Sequence, residues 1–124
     1  MPIGNEDRAL LFLGLCMRAG QPLTGQEACV TAIRGGQAAL ALMDEGASEN
    51  TVKRITDACD SHGTPLYRIS EGKLGHAIGK IGRMVVAVPP GNMAEKLLLL
   101  INETKPLEQA QNTMRDNAGV QGVQ

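Results

Sequence analysis

The apolar positions change their spacing several times between Thr24 and Thr51, and each change marks an element. Ala28, Cys29, Ala32 and Ile33 recur at helical intervals, which predicts a helix with one buried face. Thr24 is placed to cap it, with Glu27 three residues on, where a capping-box partner belongs. Gly35 and Gly36 end it. Ala38 to Met43 is then wholly apolar, as expected of a strand covered on both faces. The polar turn Asp44, Glu45, Gly46 follows. Ser48 is placed to cap a helix running to His62, with Val52, Ile55 and Cys59 on its inner face.

The same reading extends in both directions. Asn5 precedes a helix with a broad apolar face of Leu10, Leu11, Leu13, Leu15, Cys16 and Met17, stopped by Gly20 and Pro22. Leu66 to Ile69 is a second strand, and Ser70 caps a short helix that turns Leu74, Ala77 and Ile78 inward. Met84 to Val88 is a third, wholly apolar strand. After the turn at Pro89, Pro90 and Gly91, Asn92 and Glu95 resemble another cap, and Met93, Leu97, Leu98, Leu100 and Ile101 belong to a last helix. Strands and helices alternate. That predicts an α/β fold, a three-layer α/β/α sandwich around a small mixed, mostly parallel sheet. Residues 1–103 form the one domain. From Thr104 the composition turns to Gln, Asn, Gly and isolated charges, and 104–124 is expected to be a disordered tail.

Composition narrows the function. A chain of 124 residues has room for one ordinary core. Aromatics are 2% with no Trp, which argues against a platform for stacking bases. Twelve Lys and Arg face 13 Asp and Glu, a net charge of -1, which argues against a general nucleic-acid coat, so that any RNA site has to be local and shape-based. Cys16, Cys29 and Cys59 are odd in number, form no C-x-x-C pair and sit among apolar residues. They read as small buried hydrophobes in a reducing compartment, and no metal site is expected. There is no basic-then-apolar leader and no apolar run of membrane-spanning length. A cytoplasmic protein with no membrane partner is expected.

The glycine series Gly72, Gly75, Gly79, Gly82 with Lys73 and Lys80 invites a nucleotide-loop reading, which fails on spacing. Three residues separate Gly75 from Gly79 where a phosphate loop needs four, and Lys80 is followed by Ile81. His62 and His76 are isolated, no G-x-S-x-G elbow occurs, and Asp44 with Glu45 reads as a solvent-facing pair. No enzyme and no cofactor are expected. Gly72 to Arg83 carries Lys73, His76, Lys80 and Arg83 and no acid. It is either a solvated face or a patch that contacts phosphate. The N-terminus of the helix after Thr24, with its free N–H groups, also suits phosphate.

Three segments taken together, 24–36, 41–51 and 73–80 leading into 84–88, resemble the kink-turn-binding ribosomal protein family of the L-seven-Ae type, in its bacterial YlxQ-type branch. The likeness covers residues 5 to 103, in order and with compatible spacing. It implies an α/β/α sandwich and a non-catalytic RNA-binding protein of the translation machinery. In that family a Gly-x-Asn-Glu-x-x-Lys motif opens the second helix and reads tandem G·A pairs. Aligned through Ala32, Ile33 and Gly36, this chain keeps Gly25, followed by Gln26. It has Glu27 at the Asn position, Ala28 at the Glu position and Thr31 at the Lys position. A second loop, here Lys80, Ile81, Gly82 and Arg83, supplies a cation and an apolar wall over an extruded nucleotide. The RNA-contacting set so implied is Gly25, Gln26, Glu27, Thr31, Arg34, Lys80, Ile81 and Arg83, with no catalytic or metal-binding residue. The implied partner is structured RNA, ribosomal or kink-turn-like, and with it the ribosome. The competing reading is a protein-interaction module on the same fold, with RNA incidental. Geometry separates the two, because RNA binding requires Arg34, Lys80 and Arg83 to converge beside the Gly25 turn.

Overall fold

The computed structural model describes residues 5–20 and 22–102; the tail expected at 104–124 lies outside them. The elements run α1 (Asn5–Arg18), β1 (Leu23–Thr24), α2 (Gln26–Arg34), β2 (Leu40–Asp44), α3 (Glu49–His62), β3 (Leu66–Ile69), α4 (Lys73–Ile78), β4 (Val85–Val88) and α5 (Asn92–Asn102). The strands form one sheet in the order β1-β4-β2-β3.

Alternation along β2 builds the three layers. Leu40 and Leu42 point to one face, where they meet Leu13 of α1, Leu74 of α4 and Leu97 of α5. Ala41 and Met43 point to the other, against Cys29 and Ile33 of α2 and Ile55 of α3. Every residue of β2 and β4 is buried, which explains why both read as unbroken apolar runs. Each fully buried Leu or Ile contributes about 1.5–3 kcal/mol relative to exposure.

The sandwich and the mixed sheet match the expectation, but the parallel share is smaller. β2 and β3 are parallel, whereas β4 runs antiparallel to both β2 and β1. The cause lies in α4. Its six residues rise about 9 Å, too little to carry the chain back to the start of the sheet. β4 therefore begins at the end where β3 finished. β1 escapes sequence reading because it has two residues and no period to detect.

The inward faces also shift by single positions. On α2 the buried residues are Cys29, Val30, Ala32 and Ile33, with Ala28 exposed. On α1, Ala9, Leu10, Leu13 and Cys16 are buried, while Leu11 and Leu15 are open to solvent. α5 begins at Asn92 itself, so Asn92 is not a residue ahead of it. Gly91 accepts instead, from the Glu95 N–H at 3.1 Å.

Candidate nucleic-acid interface

The chain enters α2 through Gly25, whose φ of +94° and ψ of 148° suit glycine alone. Its N–H donates to the Val85 carbonyl at 3.2 Å, and its carbonyl accepts from the Cys29 N–H at 3.0 Å. The start of α2 is thereby fixed beside the start of β4. No side chain caps this helix, and its first N–H groups have no acceptor within the helix. The expected cap by Thr24 does not form. Thr24 pairs with Val86 in β1, and the turn through Gly25 places it one residue too early.

The loop 79–84 lies next to that turn. It folds directly over α4, where the Lys80 N–H donates to the Gly75 carbonyl at 2.9 Å and the Arg83 N–H to the Lys80 carbonyl at 3.1 Å. A Cβ at Gly75 would stand 3.0 Å from the Lys80 carbonyl oxygen and 3.3 Å from the Gly82 nitrogen. Close approach of backbone, not a nucleotide, accounts for that glycine. The loop turns Lys80, Ile81 and Arg83 outward, Ile81 with 80% of its surface exposed. The Arg83 guanidinium reaches back to α2, and a Cβ on Gly25 would meet its Nη1 at 2.7 Å. Two segments 58 positions apart in sequence (83 minus 25) thus share one surface.

Gln26 and Glu27 are held by α3. Gln26 Oε1 accepts from the Thr51 hydroxyl at 2.6 Å. The Thr51 N–H donates to Ser48 Oγ at 3.2 Å, so Ser48 caps α3 as expected. Ser48 Oγ in turn donates to Thr51 Oγ1 at 3.1 Å. Glu27 forms a two-pronged ion pair with Arg54, one prong at 3.3 Å. The Arg54 hydrogen bond and charge hold its carboxyl below the ordinary range. Glu27 is therefore the anion of an inter-helix pair rather than half of a capping box. As a carboxylate it offers RNA acceptors only. Sequence reading missed Thr51 and Arg54, which stand 25 and 27 positions from their partners, beyond any local spacing rule.

Thr31 is exposed about one turn and a half beyond Gln26. Arg34 is exposed in the last turn of α2, about 12 Å along the helix from Gln26, where it complements the dipole. Of the three cations required to converge, Arg83 reaches the Gly25 turn, Lys80 shares its loop, and Arg34 stands at the opposite end of α2.

Asp44, expected at the surface, is buried with 2% of its area exposed. Its carboxylate accepts from the N–H groups of Gly46 at 2.8 Å, Gly72 at 3.0 and 3.2 Å, and Leu74 at 3.4 Å. It thereby does for α4 what Ser70 was expected to do. All three cysteines are buried. Desolvation pushes the Cys29 thiol up to about 12 and the Cys59 thiol to about 11, which suits packing rather than reactivity.

No family model matches the chain. It is 40% identical over 92 residues to the RNA-binding protein YlxQ of Bacillus subtilis (strain 168), across 73% of this chain and 92% of that protein. It is 34% identical over 99 residues to the RNA-binding protein YlxQ of Enterococcus faecium, across 79% of this chain and 95% of that one. Among solved structures, a protein of unknown function from Bacillus halodurans C superposes with a TM-score of 0.70 at 38% identity, covering 76% of this chain and 96% of that chain. A Giardia lamblia 15.5kD RNA binding protein superposes with a TM-score of 0.60 at 17% identity, covering 82% and 87%. That last likeness is one of fold.

Proposed function

The chain belongs to the YlxQ family, and on that premise we propose that it binds structured RNA through the open N-terminus of α2 and the Lys80–Arg83 loop. The observation that carries this reading is the Arg83 guanidinium set against the uncapped turn at Gly25. Free N–H groups and a forked cation side by side suit a phosphate. Ile81, exposed on the same loop, gives an unstacked nucleotide an apolar wall. The site binds and does no chemistry, and it works in the cytoplasm.

The finer reading is a kink-turn or related fold of RNA in the translation machinery, ribosomal RNA above all. It is supported by the retained Gly25 and by the loop that stands beside it. Glu27 is engaged by Arg54, and Ala28 and Thr31 offer less to a base edge than Glu and Lys would. Recognition here therefore rests more on backbone shape and phosphate than on base edges. That predicts a steep salt dependence for a protein of near-zero net charge.

Calorimetric titration with a kink-turn RNA and a plain duplex, each at two salt concentrations, tests this. Preference for the kink-turn is expected. Lys80→Ala with Arg83→Ala should weaken binding about tenfold or more and leave the melting temperature unchanged, since both side chains are exposed. Unaltered affinity in the double variant would remove the loop from the site. Equal weak binding to both RNAs would retire the kink-turn, and no binding at low salt would retire RNA itself.

A further inference from the structure

The face of α1 that the core leaves unused forms a second surface. α1 and α4 approach closely at Gly14, where a Cβ would stand 3.0 Å from the Ala77 carbonyl oxygen. Beside this crossing lies a groove of about 900 Å³, with Leu10, Gly14, Ala77 and Ile78 among its lining. Leu11 and Leu15 stand at its edge on α1, 63% and 58% exposed. Neither belongs to the buried stripe of α1, and an aliphatic pair at four-residue spacing left in water is costly at about 25 cal/mol per Å².

The groove is electrically polarised. At one end Lys73 is neutralised by Asp7, 3.0 Å away, and Glu6, 3.6 Å away. Arg18, His76 and Lys80 also line it. Among the described residues no ion pair engages Arg18 or Lys80. Arg18 lies in the last turn of α1 and Asp7 in the first, so along α1 the uncompensated charge is at the end away from Asp7. From Asp7 to Arg18 is about 16 Å, or three helical turns.

We propose that the α1–α4 groove docks an amphipathic helix of a protein partner, with aliphatic side chains at i, i+4 and i+7 and acidic residues facing Arg18 and Lys80. The length fits three anchors of such a helix, and the charge selects its sign and orientation. RNA suits this surface poorly. It has no Phe, Tyr or Trp among its lining for a base to stack on, and an aliphatic floor desolvates phosphate without replacing its hydrogen bonds. Lys80 lines the groove and also stands on the loop assigned to RNA, so the two surfaces adjoin. The docking proposal does not depend on the RNA reading.

The test uses the full chain and two synthetic helices of about 16 residues. Both carry leucine at i, i+4 and i+7, one flanked by Glu and the other by Lys. Fluorescence anisotropy reads affinity, and amide chemical shifts read location. The Glu-flanked helix should bind in the range of roughly 10–100 µM, perturb the amides of residues 10–18 and 73–80, and weaken with salt. The Lys-flanked helix should bind about tenfold more weakly. Leu11→Glu with Leu15→Glu should reduce the first affinity about tenfold or more with the melting temperature held. Arg18→Glu, which leaves the floor intact, should reverse the preference between the two helices. Equal binding of both helices, shifts elsewhere, or indifference to Arg18→Glu would overturn the proposal. So would a dimer in sedimentation that Leu15→Glu disperses, which would give the groove to a second copy. Loss of RNA affinity in Leu11→Glu with Leu15→Glu would give it to RNA and overturn the proposal equally.

Discussion

α4 and α2 both begin after a glycine N-cap that offers no side-chain acceptor, Gly72 in one case and Gly25 in the other. At α4 the vacancy is filled from within the fold, because the buried Asp44 carboxylate takes the N–H groups of Gly72 and Leu74. At α2 no carboxylate arrives. The acid of its first turn, Glu27, is drawn sideways to Arg54, and what stands at the turn is the Arg83 guanidinium. One helix start is an internal joint and the other is a surface that favours an anion. A buried polar group has to be satisfied by the protein itself, whereas an exposed one is free to wait for a ligand.

The comparison is broken most severely by removing the internal partner. Asp44→Ala leaves the N–H groups of Gly46, Gly72 and Leu74 without their acceptor, and the carboxylate it removes is buried. Each lost bond to a charged group is worth about 1.5–3 kcal/mol. With partial relaxation, a loss of about 3–4 kcal/mol is expected in denaturant unfolding. Asp44→Asn, which retains an acceptor, should recover part of it. A loss under about 1 kcal/mol for the alanine variant would mean that water replaces the carboxylate, and the two helix starts would then be alike.

Gly25→Ala attacks the open start. The positive φ costs a non-glycine residue about 1–3 kcal/mol, and the new methyl collides with Arg83 Nη1. Stability should fall by that amount, with RNA affinity falling alongside as the guanidinium is pushed off. Pairing it with Arg83→Ala, which removes the collision but not the strain, should return little of the stability and none of the binding. A third helix start calibrates both. α3 is capped by its own Ser48, and Ser48→Ala should cost about 1 kcal/mol in the same unfolding assay.

What could be read from the chain alone follows the range of the interaction. Helices, the strands β2 and β4, and the Ser48 cap depend on neighbours within a few positions, and their signals lay in apolar spacing and in one capping residue. Three wholly apolar or short strands carry no mark of direction, so the antiparallel course of β4 was not legible; it depended on the length of α4. The role of Asp44 was hidden because its acceptor contacts reach 28 and 30 positions ahead. An acidic pair at a strand end looks the same whether it faces water or the core. At the candidate site, Gly25 and the loop through Arg83 were legible by resemblance. Their contact with each other was settled by the pairing of β1 with β4, and the claims of Thr51 and Arg54 on Gln26 and Glu27 by the packing of α2 on α3. Arg34 looked like part of the cluster because it is near in sequence, yet a helix of nine residues carries it away.

The smallest effect expected is the one that decides what Glu27 is for. Arg54 lowers its carboxyl below the value of the unfolded chain. A carboxyl with a depressed folded value adds stability above its unfolded value, near 4.5, and loses it as pH falls through the lower folded value. The pair is at the surface, with 78% of the Glu27 side chain exposed, so the contribution is slight and falls further in salt. Glu27→Gln should therefore lie close to the parent protein at neutral pH and converge on it below about pH 4. Arg54→Gln should show the same profile, because the two lose one interaction. If Glu27→Gln instead matched Ser48→Ala in size and held its deficit at low pH, Glu27 would be supporting the start of α2 after all. If stability were unmoved but RNA bound more tightly, the carboxylate would be an obstacle to phosphate that Arg54 keeps in check. The α3 pair would then belong to the interface as a gate on the open helix start.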